Sequence, residues 1–220
     1  MTLRKMVETL LEGRKVARPT ARGVFEQLVL ENVAYLVDDE RRAATFRALR
    51  DQVGITPERI LACPPDKLAK VIAEGGMRPG QRAEKLRECA RLALEVGPRV
   101  LERLHTEEPA RARKILKRFP GMGDPGVDKV LLHAGRAVGL APDSNALRVL
   151  VRLGFGREHK SYAATYQSAL RATAAEIPDD AAWQLRAHAV LRQHGQEVCR
   201  RSAPQCNLCP LLKLCPTVGG

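Results

Sequence analysis

Long apolar runs are missing from this chain. No stretch approaches the roughly 18 consecutive apolar residues that a membrane-spanning helix needs, so no membrane partner is expected. Aromatic residues are scarce, at 4%, while leucine, alanine and valine supply most of the 45% that is hydrophobic, a balance that favours helices. Strand signals are nearly absent, and there is no internal repeat and no low-complexity linker. Residues Met1 to Gly13 carry charge throughout and have no long apolar core. They do not read as a secretory signal, and a cytoplasmic setting follows, with Cys63 and Cys89 reduced and buried. Acidic residues fall short of basic ones, 25 against 37, leaving a net charge of +12. That surplus points to a polyanionic partner, nucleic acid first, with a generically basic soluble protein as the bland alternative.

What is present is helical from end to end. Apolar patterning, proline starts and glycine stops predict helices over 22–37, 39–52, 56–61, 64–72, 81–95, 99–105, 108–118, 125–138, 145–153, 160–175 and 179–194. The expected fold is all-α, and 220 residues suffice for one large domain or two small ones. Residues Gly75-Gly76 and Pro79-Gly80 bound a loop, and Trp183 reads as core.

Four cysteines close the chain: Cys199, Cys206, Cys209 and Cys215, spaced C-x6-C-x2-C-x5-C among Arg200, Arg201 and Lys213. Thiolates packed this closely select iron–sulfur or zinc. A structural zinc site usually has two Cys-x2–4-Cys knuckles, and only Cys206 and Cys209 form one, so the uneven loop suits a cubane cluster better. Two disulfides are the remaining reading and need an oxidising compartment.

A second signal is Phe119-Pro120-Gly121-Met122-Gly123-Asp124-Pro125 between two predicted helices. Glycines at two positions let the backbone turn tightly and present N–H groups, and the following helix start adds its own. Such a turn binds a DNA phosphate without side-chain charge, although a glycine turn between helices is often only a turn. A third signal is Asp143, at the head of Asp143-Ser144-Asn145, where a plain helix cap is the simplest reading.

Together the hairpin, the aspartate at that interval and the cysteine loop resemble the endonuclease III and adenine glycosylase family of helix–hairpin–helix DNA glycosylases, with His194-Gly195 before Cys199 adding to the likeness. The resemblance implies a six-helix barrel domain over 25–138, its hairpin at about 108–138. A cluster domain would take residues 1–24 and 139–220, its iron–sulfur loop at 199–215, with double-stranded DNA bound in the cleft between the two. It also implies a monomer, nucleoid-associated if bacterial, with a 4Fe-4S cluster on Cys199, Cys206, Cys209 and Cys215. DNA contacts would come from Pro120, Gly121, Met122, Gly123, Tyr35, Lys129, Arg200 and Arg201.

Asp143 matches the family's catalytic aspartate, which stabilises positive charge on the sugar as the glycosidic bond breaks. Glu31 falls where the adenine-glycosylase branch has a general acid, and apolar neighbours suggest a raised pKa. Tyr35 and Leu36 fall near the gap left by a flipped base, where Tyr35 either stacks on a base or packs in the core.

The sequence also departs from the family. Bifunctional members carry a catalytic lysine where this chain has Pro125. Lys129 shares a helix face with that position but lies about 6 Å further on. Asp124 replaces a usual basic residue, and the chain ends five residues after Cys215, without the further domain that reads oxidised guanine. A monofunctional DNA glycosylase is therefore expected. The alternatives are a non-catalytic damage binder on the same scaffold, or a glycosylase/lyase using Lys129.

Overall fold

The computed structural model describes residues 2–14 and 20–217. It is built of twelve α-helices: α1 (Leu3–Leu11), α2 (Gly23–Val33), α3 (Asp39–Gln52), α4 (Pro57–Ala62), α5 (Pro65–Val71), α6 (Pro79–Val96), α7 (Pro98–Glu102), α8 (Pro109–Leu116), α9 (Asp124–His133), α10 (Ser144–Arg152), α11 (Tyr162–Thr173) and α12 (Ala181–Glu197). Among the described residues no strand occurs; extended pairing is limited to one isolated bridge between Tyr35 and Gly76. The fold is all-α.

The ends of these helices follow from local chemistry. Side-chain oxygens of Thr2, Asp38, Thr56, Asp143, Ser161 and Asp180 accept first-turn N–H groups and start α1, α3, α4, α10, α11 and α12. Proline in the first turn, where its missing N–H is no loss, opens α4 to α9.

Three differences from the sequence expectation have a plain physical reason. Helix α1 is absent from it. Leu3, Met6, Val7 and Leu10 are buried at helical spacing, but the charges between them hide so short a stripe. Helix α2 ends at Val33 rather than 37, because Tyr35 N–H leaves the helix to donate to Gly75 O at 2.8 Å. Helix α9 stops at His133 rather than 138, and Gly135 follows with a left-handed φ of 93°.

The chain divides into two compact units, Pro19–Arg136 and Met1–Arg18 with Ala137–Gly220. Of the segment 1–24 expected in the cluster domain, residues 1 and 15–19 lie outside the described ones. In the first unit α2 and α6 are central: α2 packs on α3, α6, α7 and α9, and α6 on α4, α5 and α7. Helix α2 is enclosed and largely apolar, burying Val24, Phe25, Leu28, Val29 and Val33 together with Gln27 and Asn32.

In the second unit α10 packs on α11 and α12, and α1 packs on α12. Its core includes Leu3, Leu10, Leu150, Tyr166, Trp183 and Leu191. The approach of α12 to α10 is close enough that a Cβ on Gly195 would sit 2.6 Å from Asn145 O. Gly195→Ala is therefore expected to destabilise the protein by about 1–3 kcal/mol. Gly80→Ala, in open space, should be neutral or slightly stabilising. Chemical denaturation of both variants measures the contrast.

Candidate functional site

In the first unit α8 and α9 form the hairpin around Phe119 to Gly123. Gly121 takes a left-handed φ of 76°, which a side chain would strain. Asn32, buried on α2, donates from Nδ2 to Pro120 O at 3.0 Å and to Leu28 O at 3.0 Å, so the turn is tied to the core helix. Gly123 caps α9 with extended backbone and no side-chain acceptor, leaving first-turn N–H groups open to an outside anion. Gly121 and Gly123 are exposed, whereas the Met122 side chain is buried and has only its backbone to offer a ligand.

The acid at the head of α9 is neutralised from within the hairpin. Asp124 Oδ1 lies 2.7 Å from Lys117 Nζ and 3.8 Å from Arg113 Nη1, and Arg113 also pairs with the buried Asp128 one turn later. An acid facing the anion side thus becomes a strap between the end of α8 and α9.

Lys129 does not point outward as a free cation. Its Nζ lies 2.5 Å from Glu31 Oε2, with side-chain exposures of 18% and 15%, so the pair is largely shut off from water. Gln27 Nε2 donates to the other Glu31 oxygen at 2.9 Å. The raised pKa expected for Glu31 is not what this setting gives. Burial pushes the carboxyl up, but Lys129, with Arg42 and His133, outweighs it and holds the carboxyl below its usual range. The apolar neighbours on α2 were legible in sequence; the cation arriving from α9 was not.

Sequence reading also missed how loop 34–38 is built. Tyr35 is 52% exposed, so it does not pack in the core, and Leu36 and Met77 beside it are exposed too. The buried Arg82 guanidinium fixes both loops by donating to the carbonyls of Val33 (2.5 Å), Ile72 (2.8 Å), Gly76 (2.7 Å) and Met77 (2.9 Å). Glycines 75 and 76 were the one visible signal of this close approach, since a Cβ on Gly76 would meet Tyr35 O at 2.2 Å.

In the second unit Asp143 caps α10. Its Oδ1 accepts from Asn145 N at 3.0 Å and Ala146 N at 2.9 Å, and its Oδ2 accepts from Arg192 Nε on α12 at 2.7 Å. Burial disfavours the charge. Arg192, the Ala146 N–H and His188 more than compensate, and the carboxyl is held below its ordinary range. Tyr162, at the start of α11 and stacked on Tyr166 with centroids 6.3 Å apart, feels the same carboxylate. Burial and the Asp143 charge push its phenol up to about 12.

Helix α10 also holds the cysteine loop. Arg148 Nε donates to Cys199 O at 3.0 Å, and its Nη2 to Asn145 Oδ1 and Gly195 O. Arg152 Nη1 donates to Arg200 O at 2.7 Å and lies 3.4 Å from Cys199 Sγ. The Arg200 and Arg201 side chains are exposed. None of the six cysteines is paired in a disulfide. Cys199, Cys206, Cys209 and Cys215 line one cavity of about 250 Å³ together with Val198, Pro204 and Leu212. Among the described residues no three His, Cys, Asp or Glu side chains converge on a point fit for a single metal ion. His194, one residue before Gly195, stays neutral beside Cys209 because burial and Arg14 lower its pKa to about 4.

A glycine hairpin between short helices, followed by an aspartate that caps the next helix, is a helix–hairpin–helix arrangement. Residues 37–174 match the model of the HhH-GPD superfamily base excision DNA repair protein, and the chain belongs to that family. The matched region contains the hairpin and Asp143 but neither Glu31 nor Cys199, Cys206, Cys209 and Cys215.

Endonuclease III of Sulfolobus acidocaldarius is 25% identical over 88% of this chain and 82% of its own length. A trapped endonuclease III–DNA covalent intermediate has the same fold with a TM-score of 0.76 at 23% identity, covering 99% of this chain and 95% of that one. A thermostable thymine-DNA glycosylase also matches at 0.76 and 23%, covering 98% and 94%.

The Glu31–Lys129 pair yields a prediction. Lys129→Met alone strands a buried carboxylate and is expected to cost about 2–4 kcal/mol, while adding Glu31→Gln should recover most of that loss. Because the Glu31 carboxyl is depressed in the fold, its contribution is present above the unfolded carboxylate pKa and fades as pH falls through the folded value. Denaturant titrations of the four-member cycle at neutral and acid pH test both statements.

Proposed function

We propose that this protein is a monofunctional DNA glycosylase that releases a damaged or mispaired base from double-stranded DNA and leaves an abasic site in an intact strand. Asp143 is the observation that carries this reading: a carboxylate held ionised at the head of α10, 18% exposed and therefore poorly screened. As the bond from C1′ to the base breaks, the electron pair leaves with the base and positive charge builds on the sugar. A fixed negative charge lowers the energy of that state, and water then adds to C1′ while its proton ends on the departing base.

Two features support hydrolysis without strand cleavage. Pro125, at the exit of the hairpin, has no amine to form a Schiff base. Lys129 is engaged by Glu31, and an ammonium so paired is not a nucleophile. The same pair bears on Glu31, which must part from Lys129 before it can protonate a leaving base.

DNA would be held at the hairpin turn Pro120, Gly121, Met122 and Gly123, where the Met122 and Gly123 N–H groups already donate to Phe119 O and Gly121 O and the open first turn of α9 would meet a phosphate, and at the cysteine loop by the exposed Arg200 and Arg201. Tyr35, with Leu36 and Met77, offers an exposed apolar edge for the space vacated by a flipped base. The duplex partner fits the net charge of +12 and would place the protein with the chromosome in the cytoplasm. Among the described residues no helix is long and apolar enough to cross a membrane.

The cysteine cavity fits a 4Fe-4S cluster on Cys199, Cys206, Cys209 and Cys215. Four cysteines line this one cavity, and their uneven C-x6-C-x2-C-x5-C spacing suits such a cluster better than the paired knuckles of a structural zinc site. Such a cluster, held by four protein thiolates, would leave no open iron and would add to the hold that Arg148 and Arg152 have on the loop. Purified protein should contain about four irons per chain with a visible absorption band, and Cys209→Ser should lose both.

The function is tested with duplexes that each carry one lesion or mispair, uracil and thymine opposite guanine among them, with half of each reaction treated with hot alkali. Cleavage only after alkali, no borohydride-trapped adduct, and at least a 100-fold loss in Asp143→Asn are the expected results. DNA binding without base release across the panel would favour a damage binder instead.

A further inference from the structure

We propose that Arg192 is a positioning residue for Asp143: its guanidinium fixes the carboxylate so that it serves the sugar as an oriented negative charge and not as a proton acceptor. The inference rests on the reading of Asp143 as the group that stabilises the sugar cation. It adds a second residue, from another helix, that nothing in the hairpin or the cysteine loop calls for.

An aspartate needs only one oxygen to cap a helix. Oδ1 of Asp143 takes both the Asn145 and Ala146 N–H groups, which satisfies the start of α10. Oδ2 is then free to face whatever lies outside, and it is this oxygen that Arg192 Nε meets at 2.7 Å. With both oxygens engaged from two helices, the carboxyl plane cannot rotate without breaking a charge-assisted hydrogen bond. Arg192 lies on α12 between the buried Leu191 and Gly195, where α12 packs on α10. An apolar residue would suit that face, and a guanidinium only 26% exposed is costly there without an anion to meet.

No other charged or titratable group near Asp143 is placed on its Oδ2. His188, also on α12, favours the charged carboxylate at a smaller level than Arg192, but its Nδ1 bonds to Ala141 O at 3.0 Å. Arg148, on α10, is committed to Asn145, Gly195 and Cys199. Tyr162, on α11, is repelled from ionising and adds no positive charge. Burial is the largest influence on Asp143 and would raise its pKa if unopposed, and Arg192 is the chief opponent. A carboxylate stabilised in this way is a weak base by Brønsted behaviour, yet it keeps its full charge for an oxocarbenium-like sugar.

The test compares Arg192→Met, Arg192→Lys and Asp143→Asn in the full chain. The Asp143 carboxyl is titrated by NMR with 13C-labelled aspartate, and single-turnover base release is followed from pH 4.5 to 9 on the panel duplex that is cut. Arg192→Met is expected to raise the Asp143 midpoint by at least about one pH unit, to move the acid limb of the rate profile up with it, and to lower the rate about tenfold at pH 8. Arg192→Lys should keep the midpoint within about half a unit and restore most of the rate.

An unchanged midpoint and limb in Arg192→Met, with Asp143→Asn inactive, overturns the role of Arg192 while leaving Asp143 in place. Full activity of Asp143→Asn overturns the reading of Asp143 itself. Weaker DNA binding with a shallower salt dependence and no change in the limb would make Arg192 a phosphate contact and likewise overturn the proposal. Should Arg192→Met fail to fold, Arg192→Gln, isosteric enough to fill the space without charge, is held to the same midpoint shift.

Discussion

One carboxylate ties together two helices of the unit formed by α1 and α10 to α12. Asp143 closes the open N–H groups of α10 with one oxygen and binds α12 through Arg192 with the other. A helix end buried without such partners would be unstable, so the cap is needed for folding before any chemistry is considered. From that start, α10 carries Arg148 and Arg152 to the carbonyls of Cys199 and Arg200. The cysteine loop, which has only short 3-10 turns of its own, is thereby ordered from outside itself. The bare glycine at position 195 belongs to the same arrangement, because it lets α12 come close enough for Arg192 to reach.

The other unit solves a similar problem with buried side-chain donors. Asn32 and Arg82 are almost fully enclosed and spend their hydrogen bonds on backbone carbonyls of turns. Neither turn has a regular ladder to satisfy those carbonyls. The Glu31–Lys129 pair differs in kind, since it links two helices through charge and leaves both groups ionised. An acid in an apolar helix therefore becomes an anion with a dedicated counter-ion, and its chemistry differs from that of a lone buried glutamate.

The parts of this protein that were legible in the sequence are those carried by local pattern. The all-α class, the glycine hairpin, the Asp143 cap and the cysteine spacing each need only a few neighbouring residues to be recognised. Helix α1 escaped because four apolar positions among charges make too short a stripe to stand out. What was illegible is long-range pairing. Lys129 and Glu31 are 98 positions apart, Arg192 and Asp143 are 49 apart, and Arg82 and Val33 are 49 apart. A charged residue on a helix reads as solvated surface until its partner is known, which is why Arg192 gave no signal and Glu31 gave the wrong sign of pKa shift.

Arg82 has one more implication. A single guanidinium holds the carbonyls of Val33 before one loop and of Gly76 and Met77 in the other, and Gly76 backs directly onto Tyr35. The two loops therefore behave as one rigid tooth, with Tyr35, Leu36 and Met77 as its edge. Neither loop can gain or lose a residue on its own, because a change of length on one side would pull a carbonyl out of reach on the other. Insertions that surface loops elsewhere would tolerate are thus barred here, and the reach of this edge is set by the placement of one buried arginine.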